Sequence, residues 1–284
     1  MGNYPNIPNY HIGRLIAEGG TARVYWGIDM RSGYPVAIKE LKARHFRNKN
    51  VRDNFKNIET QLYLNLQHKN IPRLVDFIEL PNRDELYIVM EFIDGISLEQ
   101  HIYGQVGLIP DNKALPMFCE ILETVGYIHQ RGYLHLDIKS NNIMLTKEGH
   151  VKLIDLGIAS RLSAAMSGTM GYGTPAYMPP EQSSKAPCGR YTDIFALGVM
   201  LFEMLTGRTP FNSDLGNPRA AISDIQRKIA NEPTPKMKNF YPFINDDLQL
   251  VVERALEKDP RRRYQTCEEF IFEIHKYQKK HKSK

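Results

Sequence analysis

Cysteine is scarce: Cys119, Cys188 and Cys267 are the only three in 284 residues, far apart and in no CxxC pair. That excludes a disulfide framework and a zinc site of CxxC spacing, and leaves buried or incidental thiols. No run of about 18 uncharged apolar residues occurs, as a membrane-spanning helix requires, and the N-terminal MGNYPNIPNY lacks the basic, apolar, small-residue order of a secretory signal. Gly2 invites myristoylation, but Asn6 stands where that motif needs Ser or Thr. Internal repeats and low-complexity tracts are missing too. These absences lead us to expect a soluble, cytoplasmic protein with no transmembrane segment.

What is present suits a packed globular chain. Hydrophobic residues make up 42%, an ordinary content for a folded core, and the length allows one large domain or two modest lobes. The net charge of +5 is mild and partly sits in the terminal KYQKKHKSK. A solvated, frayed basic tail over residues 278–284 is the expectation there, and no nucleic-acid partner is expected.

The first third reads as strands. IGRLIAEGG, ARVYWGIDM and YPVAIKEL are short, rich in β-branched and aromatic residues and split by Gly, Asp or Pro, with MRSGYP as a hairpin turn. In NFKNIETQLYLNLQH, Phe55, Ile58, Leu62 and Leu66 fall at helical spacing and predict one amphipathic helix with Glu59 near its apolar edge. IPRLVDFIEL and ELYIVMEFI add two strands. From Ser97 onward helices dominate, among them LPMFCEILETVGYIHQRG, stopped by Gly132. TDIFALGVMLFEMLTG is apolar on nearly every face, so it should run through a core, with Thr192 as its cap. The turn DGIS, Asp94 to Ser97, is the natural hinge between a 10–93 lobe and a 94–277 lobe.

Three groups carry chemistry. In IAEGGTARVY a glycine turn between strands lets backbone N–H groups approach phosphate oxygens without Cβ obstruction. VAIK follows on the next strand with Lys39, and Glu59 on the lobe's one helix can pair with it. HLDIKSNN supplies Asp137, Lys139 and Asn142 from one loop: a carboxylate to orient an acceptor hydroxyl, a cation for the moving phosphoryl and an oxygen ligand for Mg²⁺. Asp155 in VKLIDLG is a second hard-oxygen ligand. Any one of these carboxylates alone would be read as an ordinary surface residue.

Taken together, in this order and spacing, the motifs resemble the eukaryotic-like protein serine/threonine kinases, most of all the bacterial members, over roughly Tyr10 to Lys276. The resemblance implies an α+β bilobal fold, with a small β-rich N-lobe carrying one main helix and a larger helical C-lobe. It implies ATP with Mg²⁺ (or Mn²⁺) as cofactor, a protein substrate with a Ser or Thr acceptor, and self-association as a route to autophosphorylation. Position by position, it puts Ile16, Ala17, Glu18, Gly19 and Gly20 in the phosphate loop, and Val24, Ala37 and Met144 around the adenine. Lys39 would contact the phosphates and pair with Glu59. Met90 would guard the back pocket, and the backbone of Glu91 and Ile93 would bind the adenine edge. Asp137 is implied as the base, Lys139 as the γ-phosphate partner, Thr174 in GTPAYMPPE as the tie between the two, and Asn142 and Asp155 as metal ligands. Glu181 should pair with Arg263, and Asp193 should anchor the catalytic loop.

Several positions depart from the pattern. Ala17 and Ala22 replace loop glycines, Leu156 replaces the Phe of DFG, and Pro179 the Ala of APE. Leu136 stands where many members have an Arg that captures a phosphate on the activation segment, and a Leu cannot make that bond. Phosphorylation of the segment, with Ser163, Ser167 and Thr169 as candidates, is therefore not expected to be the main on-switch. A cation such as Arg161 or Lys152 would have to replace the Arg. The alternatives are a nucleotide-binding pseudokinase or scaffold, disfavoured because Lys39, Asp137 and Asp155 are all present, and a small-molecule kinase, disfavoured by Lys139 and GTPAYMPPE.

Overall fold

The computed structural model describes residues 4–166 and 173–281. Gly2, Ser167, Thr169 and the last three residues of the basic tail lie outside the described residues. The chain forms two compact units, one running to Gly95 with the short return Ile154–Gly157, the other formed by Ile96–Leu153 and the chain from Ile158 onward.

The first unit is built on a five-stranded sheet, antiparallel throughout, in the order β1-β2-β3-β5-β4. Its strands are β1 (Tyr10–Glu18), β2 (Ala22–Asp29), β3 (Pro35–Leu41), β4 (Leu74–Leu80) and β5 (Glu85–Glu91). Alternation gives the sheet two faces. Tyr25, Val36, Ile38, Tyr87 and Val89 join Ile7, Tyr10 and Ile12 in an apolar cluster on one face. Their odd-numbered or even-numbered neighbours Val24, Ala37, Lys39 and Met90 fall on the other.

The helix of this unit departs from the expected uniform α-helix. An α-helical stretch Lys49–Asp53 passes into a π-helical turn Asn54–Glu59 and returns to α over Thr60–Asn65. The Thr60 hydroxyl donates to the Phe55 carbonyl five residues back, at 3.0 Å, filling the widened turn. The extra residue rotates the buried face. Ile58, expected in the apolar stripe, is 39% exposed, while Glu59 is 1% exposed.

The second unit is mostly helical. The helix Asp111–Gln130 ends before Gly132 at φ 81°, as the glycine stop predicts. It packs on the C-terminal helix Cys267–His281 and on the central helix Arg190–Thr206, in which every residue from Thr192 to Thr206 is buried. Thr192 is not the first cap of that helix. Gly189 holds the cap position, and Thr192 Oγ1, three residues in, accepts from the Gly189 N–H at 3.1 Å. The stretch expected to fray from residue 278 stays helical through His281, because Lys280 and His281 both bond Asp247, at 2.7 and 2.8 Å. Among the described residues, no helix is long and apolar enough to cross a membrane.

Candidate active site

In the first unit β3 carries Lys39 to the sheet face opposite the apolar cluster, where register sets it beside Val24 on one side and Ile88 on the other. Ala17 pairs with Val24, and Ala37 with Met90, so Ala17, Val24, Ala37, Lys39 and Met90 share one face. Ile16, Ala17 and Glu18 close β1, and Gly19 N–H bonds the Ala22 carbonyl at 2.9 Å to make the turn containing Gly20. Glu91 ends β5, its N–H bonded to the Arg73 carbonyl at 2.9 Å, and Ile93 follows it, buried.

Lys39, itself buried, is the centre of a charge cluster. Its ammonium donates to Glu59 Oε1 at 2.5 Å and to Asp155 Oδ1 at 2.7 Å. Burial works to strip its proton, but the charges of Asp155 and Glu59 outweigh that and hold it above the usual lysine range. The π turn brings Glu59 inward to meet it. Gly157 leaves the room: a Cβ there would lie 2.9 Å from Asp155 Oδ1 and 3.2 Å from Lys39 Nζ. Asn54 Nδ2 donates to the Gly157 carbonyl at 2.6 Å, a tie the sequence reading missed because nothing in its pattern sets Asn54 apart from a surface Asn.

In the second unit the catalytic-loop candidates form a closed triangle. Thr174 Oγ1 donates to Asp137 Oδ1 at 2.8 Å, and Lys139 Nζ donates to Asp137 Oδ2 at 2.8 Å and to Thr174 Oγ1 at 2.9 Å. Asn142 Nδ2 donates to the Asp137 carbonyl at 2.8 Å and to Asp137 Oδ2 at 3.3 Å. Met144 stands nearby on the strand Ile143–Thr146, across from Lys152.

Beneath this loop lies Asp193, 1% exposed. Its carboxylate accepts the N–H groups of His135 and Leu136, at 2.9 and 2.8 Å, and His129 Nε2 at 2.8 Å. Burial alone would raise its pKa, but the hydrogen bond and charge of His129 bring it below the usual carboxylate range. His129 escaped the sequence reading because a histidine near a helix end has no distinguishing pattern. Glu203 is another buried carboxylate, accepting from Tyr103 at 2.8 Å and from Ser140 at 3.1 Å, with Tyr177 also bonded to it. Arg263 and Glu181 pair, and the pair is bidentate, at 2.7 and 2.9 Å.

Leu136, 4% exposed and in left-handed backbone at φ 66°, sits in an apolar cluster with Leu134, Ala165 and Cys188, against which Ile158 and Leu162 pack. Arg161, one of the cations considered as a substitute, stacks over the Tyr133 ring at 5.6 Å.

Comparison with known proteins identifies the class. Residues 10–274 match the model of the protein kinase domain, and the chain belongs to that family. More particularly, it is 34% identical over 267 residues to serine/threonine-protein kinase PrkC of Bacillus subtilis, covering 93% of this chain and 40% of that protein. It is 35% identical over 269 residues to probable serine/threonine-protein kinase PknB of Lactococcus lactis, covering 93% and 41%. Against serine/threonine-protein kinase PknB of Mycolicibacterium smegmatis the identity is 31% over 266 residues, covering 92% and 41%. The chain thus spans about two fifths of the length of these curated relatives.

Proposed function

We propose that this domain transfers the γ-phosphoryl group of ATP to Ser and Thr hydroxyls of proteins, its own among them. The observation that carries the reading is the Asp137–Lys139–Thr174 triangle. Both oxygens of the Asp137 carboxylate are held, Oδ1 by Thr174 and Oδ2 by Lys139 and, at 3.3 Å, by Asn142, so the group is fixed to orient an acceptor hydroxyl and take its proton. Lys139, already positioned by two bonds, offsets charge on the phosphoryl as it moves. Lys39 stays cationic between two carboxylates and suits contact with the α and β phosphates.

The donor chemistry fits Mg²⁺ with ATP. The Asp155 carboxylate is 44% exposed and the Asn142 carbonyl oxygen is free of the amide's own bonds. Mg²⁺ is usually held by one or two protein oxygens together with phosphate oxygens and water, so no dedicated protein cage is required; among the described residues none of three or more His, Cys, Asp or Glu exists. When bound, ATP would supply the electrophilic phosphorus and Mg²⁺ would neutralise phosphate charge. Gly20 is compatible with a phosphate loop: a Cβ there would meet nothing within 4 Å, so the turn leaves open space for a phosphate to approach its backbone.

We read Leu136 as replacing a phosphate-dependent tie with an apolar one. The base of the activation segment is held by packing and by backbone bonds, Leu162 N–H to the Gly132 carbonyl at 2.9 Å and Cys188 N–H to the Ala165 carbonyl at 3.1 Å.

The test is phosphate incorporation from labelled ATP and Mg²⁺ into the protein and into a generic basic acceptor, comparing wild type with Asp137→Asn. Signal in the wild type that drops by at least about 100-fold in the variant is expected. Tight ATP binding without incorporation would instead favour the pseudokinase.

A further inference from the structure

Two successive carbonyls of the glycine turn are captured by one short basic turn after β3. Arg44 Nη2 donates to the Gly20 carbonyl at 2.7 Å, with His45 Nε2 at 3.2 Å from the same oxygen. The Lys42 N–H donates to the Thr21 carbonyl at 2.9 Å. The shoulder of the turn is held too: Lys42 Nζ meets Glu18 Oε1 at 2.6 Å, and Arg23 Nε donates to the same oxygen at 3.3 Å.

We infer that Lys42 and Arg44 are positioning residues for nucleotide binding, latching the glycine turn in its phosphate-ready shape; this rests on the ATP-dependent reading above. The peptide unit is planar and trans, so its C=O and N–H point in opposite directions. Holding the Gly20 carbonyl toward Arg44 therefore fixes the Thr21 N–H on the other side of the turn. With Ala17 and Ala22 in place of glycines the turn keeps two glycines, and Gly20 has no packing around it to hold it still. The Arg44 guanidinium does so instead, while Lys42 anchors the neighbouring Thr21 carbonyl through its backbone N–H and Glu18 through its ammonium. A turn ordered before the nucleotide arrives loses less entropy on binding it. The guanidinium also carries a positive charge to the tip of the loop, where phosphate would approach.

Arg44 is exposed, so its replacement leaves the fold intact. Hydrogen exchange of the amides of residues 19–22, measured without nucleotide, and calorimetric binding of Mg²⁺·ATP and Mg²⁺·ADP would be compared in wild type, Arg44→Gln and Arg44→Lys. Faster exchange in Arg44→Gln with about fivefold weaker nucleotide binding, partly recovered by Arg44→Lys, is expected, with KM for ATP rising while kcat holds. Unchanged exchange overturns the latch, and faster exchange with unchanged affinity leaves Arg44 structural and overturns its role in binding. A wild type that binds neither nucleotide would overturn the ATP reading and, with it, the nucleotide role of the latch, while the exchange comparison would still judge the latch itself.

Discussion

At Gly20 an added Cβ finds open space, whereas at Gly157 it would press on Asp155 and Lys39. Gly20→Ala should therefore leave Tm within about 1 °C and weaken ATP binding, while Gly157→Ala should lower both, as thermal melts and calorimetry would read. A melt of Gly20→Ala that falls as far as that of Gly157→Ala would contradict the assignment of Gly20 to a ligand. Leu136 offers a second test at this scale. Replacing Ser163, Ser167 and Thr169 together by Ala should keep kcat within about threefold, since the cluster around Leu136 needs no phosphate; Leu136→Ala, which opens a cavity there, should cost about 2–5 kcal/mol in denaturant melts. Loss of activity in the triple variant, restored by acidic replacements, would sink this view. Lys258 gives a pH test. Its ammonium is buried without a hydrogen-bond partner among the described residues and lies 4.3 Å over the Phe211 ring. Burial, then Arg263, pulls it down to about 8. Between that value and the ordinary lysine pKa the unfolded chain holds the extra proton, so stability from this residue rises with pH and is lowest below pH 8. Lys258→Met should raise Tm at pH 7, with a gain that shrinks by about pH 10.5.

Among elements, the helix carrying Glu59 shows how a local irregularity serves a site. A regular helix would place Phe55, Ile58 and Leu62 on one side; the π turn exposes Ile58 and turns Glu59 inward to Lys39. Deleting Ile58, one residue of the π turn, should restore α geometry at the cost of the ion pair, detectable as loss of ATP turnover in a protein that still melts cooperatively. The buried pair Arg263–Glu181 ties the short helix Pro180–Ser183 to the turn that follows Lys258. Arg263→Ala leaves Glu181 buried without its partner and should destabilise by about 3–5 kcal/mol in urea melts. Element types were legible in the sequence because strand alternation, the glycine stop at Gly132 and the largely apolar run after Thr192 are local patterns. The π turn was not, because the pattern of Phe55, Ile58, Leu62 and Leu66 fits a regular helix and only burial of Glu59 selects the wider one.

For the whole molecule, acid stability hangs on groups such as Asp193. Its folded pKa lies below the unfolded value, so the stabilisation is fully present above about pH 4 and is lost as pH falls through the folded pKa. Asp193→Asn should lower stability at pH 7 and flatten the acid limb of the profile; an acid limb as steep as the wild type's would assign that proton uptake elsewhere. The sequence by itself determined the family, the order of its motifs and the residue types of the Asp137 loop, because those are carried by spacing along the chain. Tertiary structure decided what spacing cannot encode: that a π turn leads into Glu59, that Leu136 packs with Leu134, Ala165 and Cys188, that His129 supports Asp193, and that Arg44 holds Gly20. Each depends on side chains distant in sequence meeting at hydrogen-bond or packing distance, and on a burial that makes an unpaired partner costly.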